Sequence, residues 1–463
     1  MANEDKKRAL DAAISKLEKD FGKGTVMKGL LAKYSEQYAL SVSMTTRAPR
    51  PMERHGVEYF FADKETFEAK IAQDGFVEYA CYCDNYYGTP KSKVEEMLES
   101  GKNVILEIDI QGALKVKENF SEEYIRELQK NSKRDPVLLE RTVYAFGLLE
   151  ALARVGMPFI FKGGTCLMLL MDKPRRLSTD IDIIVKPGTD LDGYLDKASE
   201  IFPFQMVEEQ KRIGKNNIEK RHFKFTYDSP INNKPFYILL DVLFEENHYA
   251  ELVEKEIRND LLLTGEEYLT VSIPSADCIL ADKLTAFAPH TTGIELNKGK
   301  DMEVMKQFYD VCSLIGIFSK CSIIKRTYEP IALAEIGYRG ITASVEECLK
   351  DTFDSALCIA ARGKVDADEY VYYVKGARDL RGHIYAENYS PEVAASRAPM
   401  VMYMAMCLLT DTEFERVEDY RDYINSNLEQ DKLKPLKYLK KANPEAYAYA
   451  VKTDRLILEK DWS

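Results

Sequence analysis

Apolar positions recur at helical spacing in some stretches of this chain and alternate or run together in others, and this division predicts the order of its elements. Leu10, Ile14, Leu17 and Phe21 share one face, so residues 4–21 should form an amphipathic helix. Asp135 before Pro136 reads as an N-cap and first helical position, and Leu138, Ala145, Leu149 and Leu152 extend that helix until Gly156 closes it. A short core strand, 159–162, then runs into Gly163-Gly164-Thr165, with Leu167, Leu169 and Leu170 packing the helix that follows. Ile181, Ile183 and Val185 alternate with Asp180 and Asp182, which places the two acids on one strand face. After a turn at 186–189 and a helix over 191–201, residues 222–227 read as a half-exposed strand. Residues 231–235 turn into a buried strand, 236–244, whose interior holds one charge, Asp241. Residues 275–287 are helical in pattern, and from about 322 to 463 the chain is mostly helical, with core stripes such as Tyr403, Met406, Cys407 and Leu408. The fold class expected is α/β: a mixed sheet flanked by helices, followed by a helical domain.

At 463 residues the chain is too long for one core and suggests two to four domains. Its 45% hydrophobic and 30% charged content is that of a globular protein. No apolar run reads as long enough to cross a bilayer and the charged start has no signal-peptide core, so a cytoplasmic protein with no membrane partner is expected. The nine cysteines lack paired C-x-x-C spacing and read as buried thiols. A net charge of −12 argues against a general nucleic-acid coat. Lys211, Arg212, Lys215, Lys220 and Arg221 form a local basic group, for which an RNA-backbone contact and a solvated edge both remain open.

The chemistry centres on the glycines and the acids. Gly163, Gly164 and Thr165 let backbone N–H groups approach a polyphosphate at a helix start. Asp180 and Asp182 on one face invite Mg2+, and a buried Asp241 needs a partner that a shared divalent ion would provide. Residues 162–165, Ser178 to Asp182, Asp241, Asp282-Lys283-Leu284-Thr285-Ala286 and Lys306-Gln307-Phe308-Tyr309-Asp310, in this order, resemble the AbiEii/AbiGii toxin family of nucleotidyltransferases. The resemblance implies that Asp180, Asp182 and Asp241 bind Mg2+ and that Lys283 neutralises nucleotide phosphates. Gly163, Gly164, Thr165 and Ser178 would bind the nucleotide, and Asp310 would orient Lys283 or the nucleotide, or cap its helix. It further implies an NTP substrate, an RNA acceptor such as a tRNA 3′ end, an AbiEi-like antitoxin, and a C-terminal helical domain shaping the acceptor cleft. Lys306-Gln307 departs from the arginine–aspartate common in relatives. Arg175 and Arg176 sit just before the acidic strand, where one could reach a phosphate or the pair could be a solvated loop; His222 and His248 read as lone histidines, and His290 as a loop residue that could touch substrate.

The N-terminal third differs in character. Gly22-Lys23-Gly24-Thr25, residues 40–51, Asn85 to Pro90 and Val104 to Gly112 resemble guanylate kinase. Position by position, the resemblance places a GMP site at Ser43, Arg47, Arg50, Tyr59, Glu78, Tyr87, Thr89 and Asp109. Two arginines would clamp a phosphate while a carboxylate accepts from guanine. A phosphate loop needs a preceding strand and the full G-x-x-x-x-G-K-[ST] pattern; here a charged helix precedes and only the tail of the pattern remains, so kinase turnover is not expected. Residues 1–28 resemble the N-terminal helix of the RecA recombinase, without that protein's ATPase core. The plan expected is a helix (1–21), a truncated GMP-binding region (22–120), a linker (121–134) that could be a connecting helix, a nucleotidyltransferase core (135–321) and a helical domain (322–463). Guanylate kinase activity and a non-catalytic or mis-joined fusion are the alternatives.

Overall fold

The computed structural model describes residues 33–34, 38–49, 53–73, 75–82, 85–105, 120–171, 173–210, 220–263 and 268–460. The helix expected over 4–21, the Gly22–Thr25 word and Lys211, Arg212 and Lys215 lie outside them. The chain divides into two compact units, Met1–Lys115 and Val116–Ser463.

In the first unit, β1 (Tyr38–Leu40) pairs in parallel with β6 (Asn103–Ile105). A second sheet has the order β3-β2-β5-β4, from β2 (Met44–Thr45), β3 (Phe60–Phe61), β4 (Phe76–Tyr82) and β5 (Asn85–Pro90). Two helices, α1 (Lys64–Ala72) and α2 (Lys91–Glu99), accompany it. The Phe67 ring stacks between Phe76 and Tyr86, which fixes α1 on the sheet.

The second unit opens with α3 (Glu122–Ser132), whose Ser121 N-cap accepts from the Tyr124 N–H. This is the stretch expected as a linker. Its apolar face, Tyr124, Ile125 and Leu128, is buried, and the Tyr124 hydroxyl donates to the Leu261 carbonyl at 3.1 Å. Helix α4 (Pro136–Arg154) starts as the sequence signals, with Asp135 accepting from the Leu138 N–H at 2.9 Å. The five-stranded sheet has the order β7-β8-β11-β10-β9. Its strands are β7 (Ile160–Lys162), β8 (Asp180–Val185), β9 (Phe204–Glu209), β10 (Lys220–Ser229) and β11 (Lys234–Phe244). Strands β8 and β11 run parallel and the other neighbours antiparallel, a mixed sheet as expected. Between these strands lie α5 (Gly163–Leu170) and α6 (Asp192–Ser199), and a hairpin of β12 (Leu252–Glu256) and β13 (Thr270–Pro274) follows.

Helices α7 (Ala276–Ala286), α8 (Asp301–Ile315), α9 (Cys321–Arg339), α10 (Val345–Ala360), α11 (Ala367–Leu380) and α12 (Pro391–Leu409) come next, and α13 (Leu439–Ala442) and α14 (Pro444–Glu459) end the described chain. One continuous apolar core runs from Phe120 to Ile457, so helices before and after position 321 share it. By length and composition α12 could cross a bilayer, unlike the expectation that no run reaches that length. It is apolar on nearly all sides because it is an inner helix: Val401 to Leu408 are all buried.

Candidate active site

Strand β7 passes into α5 without a loop, and Gly163 makes the join at φ +82°. A Cβ there would overlap the Asp182 carboxylate, and one on Gly164 would press on Arg176 Nη2 and Ser178 Oγ at 2.7 Å. The glycine pair therefore makes room for protein groups at the helix start. Thr165, expected to hold outer phosphates, is fully buried and donates its hydroxyl to the Asp180 carbonyl at 2.7 Å. Its side chain thus fastens α5 to β8.

The parallel register of β8 and β11 sets Asp241 opposite Asp182, with Asp180 two residues earlier on the same face. Burial, then the charges of Asp241 and Asp180, pushes the Asp182 carboxyl up to about 7. On the far side β10 places His222 opposite Asp241, and His222 Nδ1 lies 2.6 Å from Asp241 Oδ1. This corrects the view of His222 as a lone histidine, since its partner is nineteen residues away across a hairpin. His248 likewise has a partner, Glu245, at 3.0 Å. Asp180 Oδ1 accepts from Arg141 Nη2 of α4 at 3.3 Å and from Thr179 Oγ1 at 3.2 Å. On the other flank Lys162, opposite Asp182 in register, donates to Asp282 Oδ1 at 3.3 Å. Burial works against the Lys162 charge, yet Asp282, Tyr249 and Asp182 together hold its pKa well above the ordinary lysine value.

Lys283 is buried, donating to Gln307 Oε1 at 2.9 Å and pairing with Asp310 Oδ2 at 3.1 Å. Asp310 sits inside α8 and caps nothing. It takes a bidentate contact from Arg176 at 2.7 and 2.6 Å. Burial alone would raise the Asp310 carboxyl; Arg176 and Lys283 hold it below its ordinary value. Arg176 is therefore a buried structural cation, not a solvated loop residue, while its neighbour Arg175 is exposed. Gln307, where relatives commonly show aspartate, supplies a neutral acceptor for Lys283.

A metal site was expected at Asp180, Asp182 and Asp241. As placed, Asp241 turns to His222 and Asp180 to Arg141, and among the described residues no group of three or more His, Cys, Asp or Glu is arranged to grip an ion. The donor chemistry nonetheless fits Mg2+. Hard carboxylates on adjacent strands, one driven toward its neutral form by burial and then by the charges of the other two, are a donor set whose chemistry suits a divalent cation.

A cavity of about 480 Å³ lined by Pro289, His290, Glu295, Asp366, Glu369 and Tyr372 lies on other elements, and none of the site acids lines it. His290, expected to touch substrate, is held there by Asp351 at 2.7 Å and Glu369 at 3.1 Å. In the first unit, Arg47 donates to both carboxylate oxygens of Glu53 at 2.9 and 3.0 Å, and its guanidinium lies 5.6 Å from the Tyr59 ring centre. Tyr59 and Tyr87 meet edge to face at 6.2 Å. Ser43 and Thr89 flank the paired Met44 and Gly88. These five candidate GMP residues come together on one sheet, with Glu78 opposite Thr89 on the backbone. Arg50 and Asp109 lie outside the described residues.

Arg141 and His222 belong to this site and escaped sequence reasoning, whereas Arg176 was noticed without its partner Asp310. A basic residue beside an acidic motif was visible at Arg176; Arg141 and His222 gave no local signal.

Residues 148–369 match the family described as nucleotidyl transferase AbiEii toxin, type IV TA system, and residues 18–125 match guanylate kinase. Guanylate kinase of Latilactobacillus sakei is 56% identical over 97 residues, which cover 21% of this chain and 48% of that protein. That of Clostridium perfringens strain SM101 is 59% identical over 101 residues, covering 22% and 46%. The chain thus spans about half the length of the curated relatives it matches. Among solved structures, JHP933 from Helicobacter pylori is 14% identical with a TM-score of 0.35, covering 59% of this chain and 93% of that one. Guanylate kinase from Anaplasma phagocytophilum is 36% identical with a TM-score of 0.16, covering 19% and 47%. Two separate portions of this chain are thus similar to known families, residues 148–369 to the AbiEii nucleotidyltransferase toxins and residues 18–125 to guanylate kinase.

Proposed function

We propose that the second unit is a Mg2+-dependent nucleotidyltransferase that moves NMP from an NTP to an RNA acceptor. The observation that carries this is the β8–β11 register, which sets Asp182 beside Asp241 with Asp180 on the same face, next to a glycine-built helix start. Asp180, Asp182 and Asp241 would hold the ion; when bound, Mg2+ would neutralise charge at the reacting phosphate. His222 orients the Asp241 carboxylate. The α5 N-terminus presents backbone N–H groups to the nucleotide phosphates. Lys283, fixed by Asp310 and Gln307, contributes a positive field beside that turn. The family description, a toxin of a type IV TA system, supports growth inhibition under control of a cognate antitoxin, which in this reading is AbiEi-like and acts with the toxin in the cytoplasm.

The test is transfer of label from α-labelled NTPs to an RNA pool. The double variant Asp180→Ala with Asp182→Ala should lose transfer and toxicity, and retention of either would refute the assignment. A second reading concerns the first unit: the Arg47, Tyr59 and Tyr87 cluster supports GMP binding without phosphorylation. Equilibrium dialysis with labelled GMP checks it, and ADP release in the presence of ATP would contradict it.

A further inference from the structure

The segment after α11 is strapped to the loop ahead of β8. The Leu177 N–H donates to the His383 carbonyl at 2.7 Å, the Tyr385 N–H to the Arg175 carbonyl at 2.9 Å, and Arg176 bridges to Ile384. This strap sets His383 beside Arg176. Lys306 lies one helical turn before Asp310 on α8 and so faces the same region. Arg141 enters from α4 to reach Asp180.

These basic groups are unequally matched. Arg176 is satisfied by Asp310, whereas Lys306 makes no ion pair among the described residues. Buried His383 Nδ1 and Arg141 Nε have no hydrogen-bond partner. Burial, then the charges of Lys306, Arg176 and Arg141, pushes the His383 imidazole down to about 4, and burial with Arg176 lowers Lys306. Lys306 and His383 are both partly exposed, so a ligand can reach them. Lys306 thus lies among cationic side chains near Asp180 with acids at a distance, Glu303, Asp180 and Asp310, but with no ion pair of its own among the described residues.

From this geometry we propose that Lys306, His383 and Arg141 form a phosphate seat beside Asp180, distinct from the Gly163–Thr165 turn. The inference rests on the nucleotidyl-transfer reading for its ligand: the phosphate belongs either to the polyphosphate of the NTP or to the backbone of the RNA acceptor. Lys306 supplies the charge, and the covered, unpartnered His383 Nδ1 and Arg141 Nε supply directed donors once their side chains turn toward an arriving anion.

Binding without turnover tests this on the full chain, using two probes: inorganic tripolyphosphate by calorimetry and a fluorescein-labelled single-stranded oligoribonucleotide by anisotropy. Lys306→Gln, or Lys306→Met should the first not fold, is expected to weaken at least one probe about 10-fold, with His383→Gln weakening the same probe and Lys306→Arg binding like the parent. Loss on the tripolyphosphate arm alone assigns the seat to the nucleotide. Loss on the RNA arm, with the salt-dependence slope smaller by about 0.7, assigns it to the acceptor. If neither probe is weakened by these variants, or neither binds the parent chain, the seat does not exist. Neither arm requires catalysis, so this result is separable from the Asp180/Asp182 transfer assay.

Discussion

His222 shows at the scale of one side chain how the site works and how it hid. It donates no motif of its own, yet its Nδ1 lies 2.6 Å from the Asp241 carboxylate. Outer partners of this kind tune metal-binding carboxylates by roughly 10–100-fold. His222→Leu should therefore lower label transfer by about that factor while leaving the thermal midpoint nearly unchanged; unaltered transfer would remove the orienting role. His290 makes a different prediction. Its hydrogen bonds to Asp351 and Glu369, followed by their charges, push its pKa up to about 10 against the opposing effect of burial. A histidine raised on folding stabilises fully below its ordinary value near 6.5, and that contribution fades as pH climbs to about 10. The gap in thermal midpoint between the parent and His290→Gln should be widest near pH 6 and close by pH 10, with solvent screening keeping it modest because half the side chain is exposed. A gap constant with pH would mean the ion pairs contribute nothing. The acids were legible from alternation along the strands, because facing is a local property with period two. The partners of Arg176, His222 and Lys306 were not, because no spacing rule connects residues that meet only after the chain has folded back.

At the scale of elements, the join of β7 to α5 concentrates the constraint. Gly163 combines a left-handed backbone with direct approach of the Asp182 carboxylate. Gly163→Ala should cost about 1–3 kcal/mol from backbone strain alone, read by urea denaturation, and should abolish transfer by displacing Asp182. Full activity with unchanged stability would show that the turn relaxes freely. The same comparison explains what could be read of the elements beforehand. The Asp135-Pro136 start of α4 was legible because capping is decided within four residues. The role of Thr165 was not: from sequence its hydroxyl looks available to a phosphate, and only the proximity of β8 turns it toward the Asp180 carbonyl. Residues 121–134 do form the connecting helix their sequence allows, but their charged surface conceals the Tyr124, Ile125 and Leu128 face that enters the core.

For the whole molecule, the core from Phe120 to Ile457 is complete within the second unit. A fragment of residues 116–463 should therefore unfold in one cooperative transition and retain label transfer while losing any GMP binding, as judged by circular dichroism and the two assays. A fragment that aggregates or lacks tertiary signal would show that the second unit depends on the first. The mosaic plan itself was legible because each portion carries short motifs of its own, whereas sharing of one core across position 321 was not, since helical stripes do not announce which neighbours they meet.

The strap that ties Leu177 to His383, and the clasp of Arg176 on Asp310, join stretches separated by 206 and 134 positions. Neither contact can close until a ribosome has released the later partner, position 383 for the strap and 310 for the clasp. Nascent chains shorter than this would carry the acids and the glycines but not the later residues that strap and clasp them, so the proposed transfer activity would begin only once both later partners have emerged, leaving an interval in which a waiting inhibitor could act first.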